Sequence, residues 1–244
     1  MIWGVRTATV KKAQTILTFI VRNLVVPVLN ISISLLVIRS SSRELWGNFI
    51  SILIWVNLAL HILSWGSREY LLRQFSQTPS LAGAWWYENF FTRLLILPLA
   101  ALFFLAMHLP IQIFWGVLLW LAAGFVAQSW EVVGVFQKRF GPAILAEFVG
   151  FLGIGYGVFF WETEISVEKM VALYSFSALL KAVITTAAFR RRDFVRHRFS
   201  INKQQLSGAL PFLLLGLTGM LNNRVDLYMV SARMGEEQVA VYQV

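Results

Sequence analysis

Residues 207–232 form an apolar run long enough to cross a bilayer, which takes about 20 residues, yet it holds Asn222, Asn223, Arg224 and Asp226 well inside. A charge at that depth costs at least ~2.5–3.5 kcal/mol on insertion scales, so it faces a protein interior or a water-filled cavity. At 100° per residue, Thr218, Asn222, Asp226, Met229 and Arg233 share one stripe, while Arg224 lies about 200° from Asp226. In a regular helix the two charges therefore do not point into one site. Two earlier runs carry matching features. Asn23, Pro27, Asn30 and Ser34 recur at i, i+4, i+7 and i+11, with Arg22 beside them. Pro27 removes a backbone hydrogen bond and predicts a kink near the membrane centre. Asn57, His61 and Ser64 align above Arg68. Amides, imidazole and guanidinium on three helix faces can wall an aqueous cavity; one such face cannot. Taken singly, each amide is equally well explained by a hydrogen bond to a neighbouring helix, for about 0.6 kcal/mol. His61 reads as either an interhelical contact or a proton relay. Glu147 and Lys181 form either a structural ion pair or a coupling pair, and Arg93 and Glu131 are further charges inside apolar runs.

The composition places these residues in a membrane. Of 244 residues, 58% are hydrophobic and 14% charged, whereas a soluble domain sits near half apolar and a quarter charged. The absence of cysteine excludes disulfides and thiolate metal sites; no metal and no cofactor is expected. The net charge of +9 does not point to nucleic acid, because the cations lie between apolar spans rather than along one polar face. Surplus Lys and Arg instead mark cytoplasmic loops.

Seven spans are expected, at about 13–38, 45–66, 86–107, 111–135, 141–161, 169–189 and 207–232. The first is too long for a signal-peptide core and lacks an Ala-x-Ala site, so it reads as an uncleaved span. The breaks are Arg39–Glu44, Arg68–Pro79, the tight turn His108-Leu-Pro110, the basic turn Lys138–Pro142, the acidic segment 162–168, and a loop from Arg190-Arg191-Arg192 to Gln205. With the N-terminus inside, inner segments hold thirteen Lys and Arg and outer loops four, which sets a cytoplasmic N-terminus. In the fifth span Ala146, Gly150, Gly153 and Gly157 make a small-residue face for close helix packing.

The junction after the seventh span resembles the one after the first. Arg39–Phe49 lies opposite Arg233–Gln243 at a constant offset of 194. Six spans separate them, an even number, as in transporters built from two parallel halves. The expected fold class is an all-α polytopic membrane protein. Residues 1–206 are expected to form a six-helix lobe and 207–244 the opening of a second, which would then be cut short at Val244.

Asn222-Asn223-Arg224-Val225-Asp226-Leu-Tyr-Met-Val with Gly235–Tyr242, Glu44-Leu-Trp-Gly47-Asn-Phe49, and Gly134–Gly141 resemble corresponding stretches of polysaccharide (O-antigen-type) flippases. These belong to the multidrug/oligosaccharidyl-lipid/polysaccharide exporter superfamily. The resemblance covers nearly the whole chain through loose motifs, but such proteins have twelve or more spans. It implies two lobes around a cavity that opens alternately to each side of a prokaryotic cytoplasmic membrane. The implied cargo is an oligosaccharide on a polyprenyl pyrophosphate, with a second lobe or a second copy of the chain completing the cavity. Arg22 and Arg224 then suit the pyrophosphate, since guanidinium pairs well with phosphate oxygens. Asn23, Asn30, Asn57, His61, Asn222 and Asp226 complete the expected substrate-binding set. A cation-coupled drug exporter of the same superfamily is the main alternative; it would favour acidic sites over arginines. A membrane enzyme acting on lipid-linked sugars is a weaker one. It calls for a large external loop or an Asp-x-Asp site, and the chain has only Asp193 and Asp226.

Overall fold

A computed structural model describes residues 20, 24, 27–39, 42–160, 165–189 and 201–233; the side chains of 223–228 and 230–233 lie outside the description. The described chain is helical, with no strand. The elements are α1 (Pro27–Arg39), α2 (Arg43–Ser64), α3 (Ser67–Gln77), a 3-10 turn (Pro79–Leu81), α4 (Ala82–Leu94), α5 (Leu97–Ala106), α6 (Ile111–Phe136), α7 (Gly141–Phe160), α8 (Val167–Phe189) and α9 (Lys203–Arg233). Six helical segments are long and apolar enough to cross a membrane: Arg43–Gln77, Pro79–Ala106, Ile111–Phe136, Gly141–Phe160, Val167–Phe189 and Lys203–Asn222. The protein is an all-α polytopic integral membrane protein. Of the expected first span only Ile20, Leu24 and α1 fall within the description.

Two expected boundaries move. The segment from Arg68 to Pro79, read as a loop, is mostly the helix α3. Its apolar Tyr70, Leu71 and Phe75 are buried while Arg68, Glu69, Arg73 and Gln77 are exposed, so one face gains enough packing to hold a helix. The third span begins at Pro79, ahead of α4, and breaks between Leu94 and Leu97. Pro98 sits in the first turn of α5, where a missing N–H costs no intrahelical bond. Both tight turns occur as expected, each at a left-handed residue: His108 at φ 52° and Lys138 at φ 55°.

Close packing rests on small residues. Gly116 of α6 faces Val171 of α8, and Ser175 Oγ donates to the Gly116 carbonyl at 2.7 Å. On α7 the inward face is Ala143, Ala146, Gly150, Ile154 and Gly157. Gly150 abuts Ser177 and Gly157 abuts Leu173, but Gly153 has nothing within 4 Å. The expected small-residue face is therefore corrected at Gly153: the helical period carries the contact to Ile154 instead. Opposite lie Leu145, Phe148, Leu152, Tyr156 and Phe159, all exposed, a stripe suited to acyl chains.

Candidate functional site: a polar wedge between two helices

α9 runs antiparallel to α2 and docks on it through glycines. Gly66, in the left-handed region at φ 63°, joins α2 to α3, and a Cβ there would run into the Leu213 nitrogen. Gly208 meets the Tyr70 ring, and a Cβ on Gly216 would lie 2.7 Å from His61 Nε2. The docked face of α9 is Gln205, Ala209 and Leu213, all buried. Its base is tied by polar contacts. Trp65 Nε1 donates to the Leu206 carbonyl at 2.9 Å, Gln205 Nε2 to Glu88 Oε2 at 2.9 Å, and the Asn202 N–H to Thr92 Oγ1 at 3.0 Å.

Beyond Gly216 the surroundings change. Gly219 has nothing within 4 Å. Asn57, one turn from His61 along α2, is exposed, as are Thr218 and Asn222 on α9, while Leu217 and Met220 stay half-buried. At 1.5 Å per residue Asn57 lies about 6 Å, and Asn222 about 9 Å, from the His61–Gly216 contact in the same direction. The two amides thus sit at similar depth on neighbouring helices, but Thr218 and Asn222 lie about 160° and 120° around α9 from Gly216, on the face turned away from α2. His61 lies at the apex of this wedge, half-buried, and its Nε2 is buried without a hydrogen bond among the described residues. Thr218 Oγ1 donates back to the Leu214 carbonyl.

The other expected residues fall as follows. Asn30 is exposed on α1, where its carbonyl accepts from Ser34 Oγ at 2.9 Å. Arg22 and Asn23 lie outside the described residues. Arg224 and Asp226 lie on the helical backbone of α9, with side chains outside the description. Glu147 and Lys181 form an ion pair at 2.6 Å, each side chain 30% exposed. Gly150 makes room for it, since a Cβ there would lie 3.1 Å from Lys181 Cε. So Asn57 and His61 share the face of α2 that meets α9, Asn222 lies at a similar depth on the outer face of α9, and the Glu147–Lys181 pair stands apart between α7 and α8.

One cluster was not legible as a unit. Arg93 of α4 is 2% exposed. Its Nε donates to Asn89 Oδ1 at 2.8 Å, Nη2 to Ser129 Oγ at 2.9 Å, and Nη1 toward the Leu63 and Ser64 carbonyls at 3.3 and 3.4 Å. Its guanidinium carbon stands 5.0 Å over the Phe125 ring. Those carbonyls end α2, where the helix leaves its last acceptors without intrahelical donors. Arg93 therefore caps α2 directly below the wedge apex. The i, i+4 spacing of Asn89 and Arg93 was a usable signal; Ser129 and the α2 carbonyls, distant in sequence, gave none.

No family model matches the chain, and neither the curated proteins nor the solved structures hold a match.

Proposed function

We propose that the protein is a transporter that moves a lipid-linked oligosaccharide across a prokaryotic cytoplasmic membrane, its polar head meeting the exposed polar residues of α2 and α9 beyond Gly216. The observation that carries this reading is a set of exposed polar residues at one depth of the bundle: Asn57 on α2, and Thr218 and Asn222 on α9, are exposed instead of being buried against helices. An amide left facing hydrocarbon is costly, and a polar head group supplies the missing partners. A lateral opening also leaves the polyprenyl tail in lipid while the sugar passes. The likeness of the Asn222–Val230 and Glu44–Phe49 stretches to polysaccharide flippases supports the same cargo class. In this reading Arg22 and Arg224 meet the pyrophosphate, Asn57, His61 and Asn222 meet the polar head, and the inner-leaflet side is the end bearing α3.

Complementation of a flippase-null strain tests the proposal, with the chain alone and with the chain extended through a second lobe. Gly219→Trp adds bulk where nothing lies within 4 Å, so the bundle keeps its packing while the wedge fills. Surface polysaccharide should fall to the null level in whichever form restores it, at normal membrane abundance. Restoration by neither form, or undiminished export by Gly219→Trp, contradicts the reading.

A further inference from the structure

A second surface lies at the end of the bundle where α2 gives way to α3, and it is independent of the wedge. α2 alone has 22 residues, about 33 Å, enough for a hydrocarbon core of ~30 Å. α3 therefore continues past that core. Its buried face shares one apolar cluster with Trp86 of α4, Trp130 and Val133 of α6, Phe189 of α8 and Ala209 of α9, so these helix ends meet α3 at one level. Phe75 stands edge-on to Phe136 with ring centroids 5.1 Å apart, which brings the following turn, with Lys138 and Arg139, beside α3. The seat of Gly208 on Tyr70 brings the start of α9, with Lys203, to its other side.

Arg68, Arg73, Lys138, Arg139 and Lys203 are all exposed there, against Glu69 as the exposed carboxylate among the described residues of this end. Glu88, at the same level, is half-buried and accepts from Gln205. Trp65, Trp85 and Tyr87 are half-buried nearby, rings of the kind that settle at a membrane–water interface. Exposed apolar side chains adjoin the cations: Leu81, Ile201 and Leu210.

We propose that this end binds anionic phospholipid, with the phosphate held among the α3, α6–α7 and α9 cations and the acyl chains laid along Leu81, Ile201 and Leu210. Charge complementarity selects an anion, and the adjoining apolar side chains select one that carries tails. A soluble phosphate would use the cations and leave those side chains without a role. Each Lys or Arg near an anionic membrane surface changes association about fivefold.

The test is native mass spectrometry of the full chain released from nanodiscs of equal phosphatidylglycerol and phosphatidylcholine. The wild type should retain phosphatidylglycerol preferentially. The pairs Arg68→Gln with Arg73→Gln, and Lys138→Gln with Arg139→Gln, should lower that preference about fivefold per cation removed. Arg43→Gln, at the opposite end of α2, should leave it unchanged. All five positions are exposed, and a monodisperse elution profile checks that each variant is folded. Equal retention of the two lipids by the wild type overturns the proposal. So does an equal loss in Arg43→Gln, or displacement of the lipid by millimolar inorganic phosphate, which would mean a site for a soluble anion.

Discussion

Replacing Arg93 by alanine removes a side chain that bonds to α2, α4 and α6 together. Asn89 and Ser129 each lose a donor, and the Leu63 and Ser64 carbonyls lose their cap. Ser129 still donates to the Phe125 carbonyl at 2.7 Å. The uncompensated loss is therefore centred on the buried Asn89 oxygen and the two carbonyls, at about 1–3 kcal/mol for each buried acceptor left unpaired. The carbonyl bonds at 3.3 and 3.4 Å are long, so about 1 kcal/mol is taken for each acceptor. Loss of the ring contact with Phe125 adds about 1 kcal/mol, for a total of about 4 kcal/mol. At roughly 2–4 °C per kcal/mol for a chain of this size, the melting temperature in detergent should fall by about 8–16 °C. Arg93→Lys keeps the charge but loses the fork, so it should fall by about half as much. Thermal melting followed by fluorescence-detected size exclusion reads both. A shift under about 2 °C for Arg93→Ala would refute the capping account.

Gly66→Ala should be worse than an ordinary helix-end substitution. It forces a side chain at φ 63° into the backbone of Leu213 and Ala209, so loss of folded protein on size exclusion is expected, with Gly153→Ala, in open space, as the silent control. For the Glu147–Lys181 pair, a double-mutant cycle with Glu147→Gln and Lys181→Met should give a coupling of about 1 kcal/mol in thermal stability. If the pair is structural, the double variant transports normally; loss of transport at unchanged stability would assign it to coupling instead. Cysteines at Gln77 and Glu164, in a chain with no native cysteine, should label from opposite sides of the membrane, Gln77 from the cytoplasm. Labelling of both from one side contradicts the topology.

Much of the fold was legible because a membrane core demands long apolar runs, and interruptions in them are chemically loud. His108-Leu-Pro110 and Lys138–Pro142 announced turns that the structure places there. α3 was missed because its sequence is polar on average; only the spacing of Tyr70, Leu71 and Phe75 carries the signal, and that needs α6 and α9 as partners. The stripe of Asn57 and His61 was readable from helical spacing, and so was the stripe of Thr218 and Asn222. The docking of α9 on α2 was not, because it depends on Gly216 admitting the His61 ring across more than 150 residues of chain. The tie between Glu88 and Gln205, 117 residues apart, was hidden for the same reason. Other polar residues of the spans are accounted for by packing. Thr185 donates to the Lys181 carbonyl and Ser177 packs on Gly150, while Tyr174 lies tilted against the Phe49 and Trp120 rings.

The central claim is that a polar head group meets the exposed amides of α2 and α9. Site-specific photocrosslinking tests it most directly, with a benzophenone side chain placed in turn at Asn57, Asn222, Leu152 and Phe176, in cells that synthesise lipid-linked oligosaccharide. Leu152 and Phe176 are exposed on α7 and α8 and report ordinary contact with lipid. The account predicts sugar-bearing adducts at Asn57 and Asn222 and none at Leu152 or Phe176. Adducts of equal yield at all four positions, or at none, would contradict it.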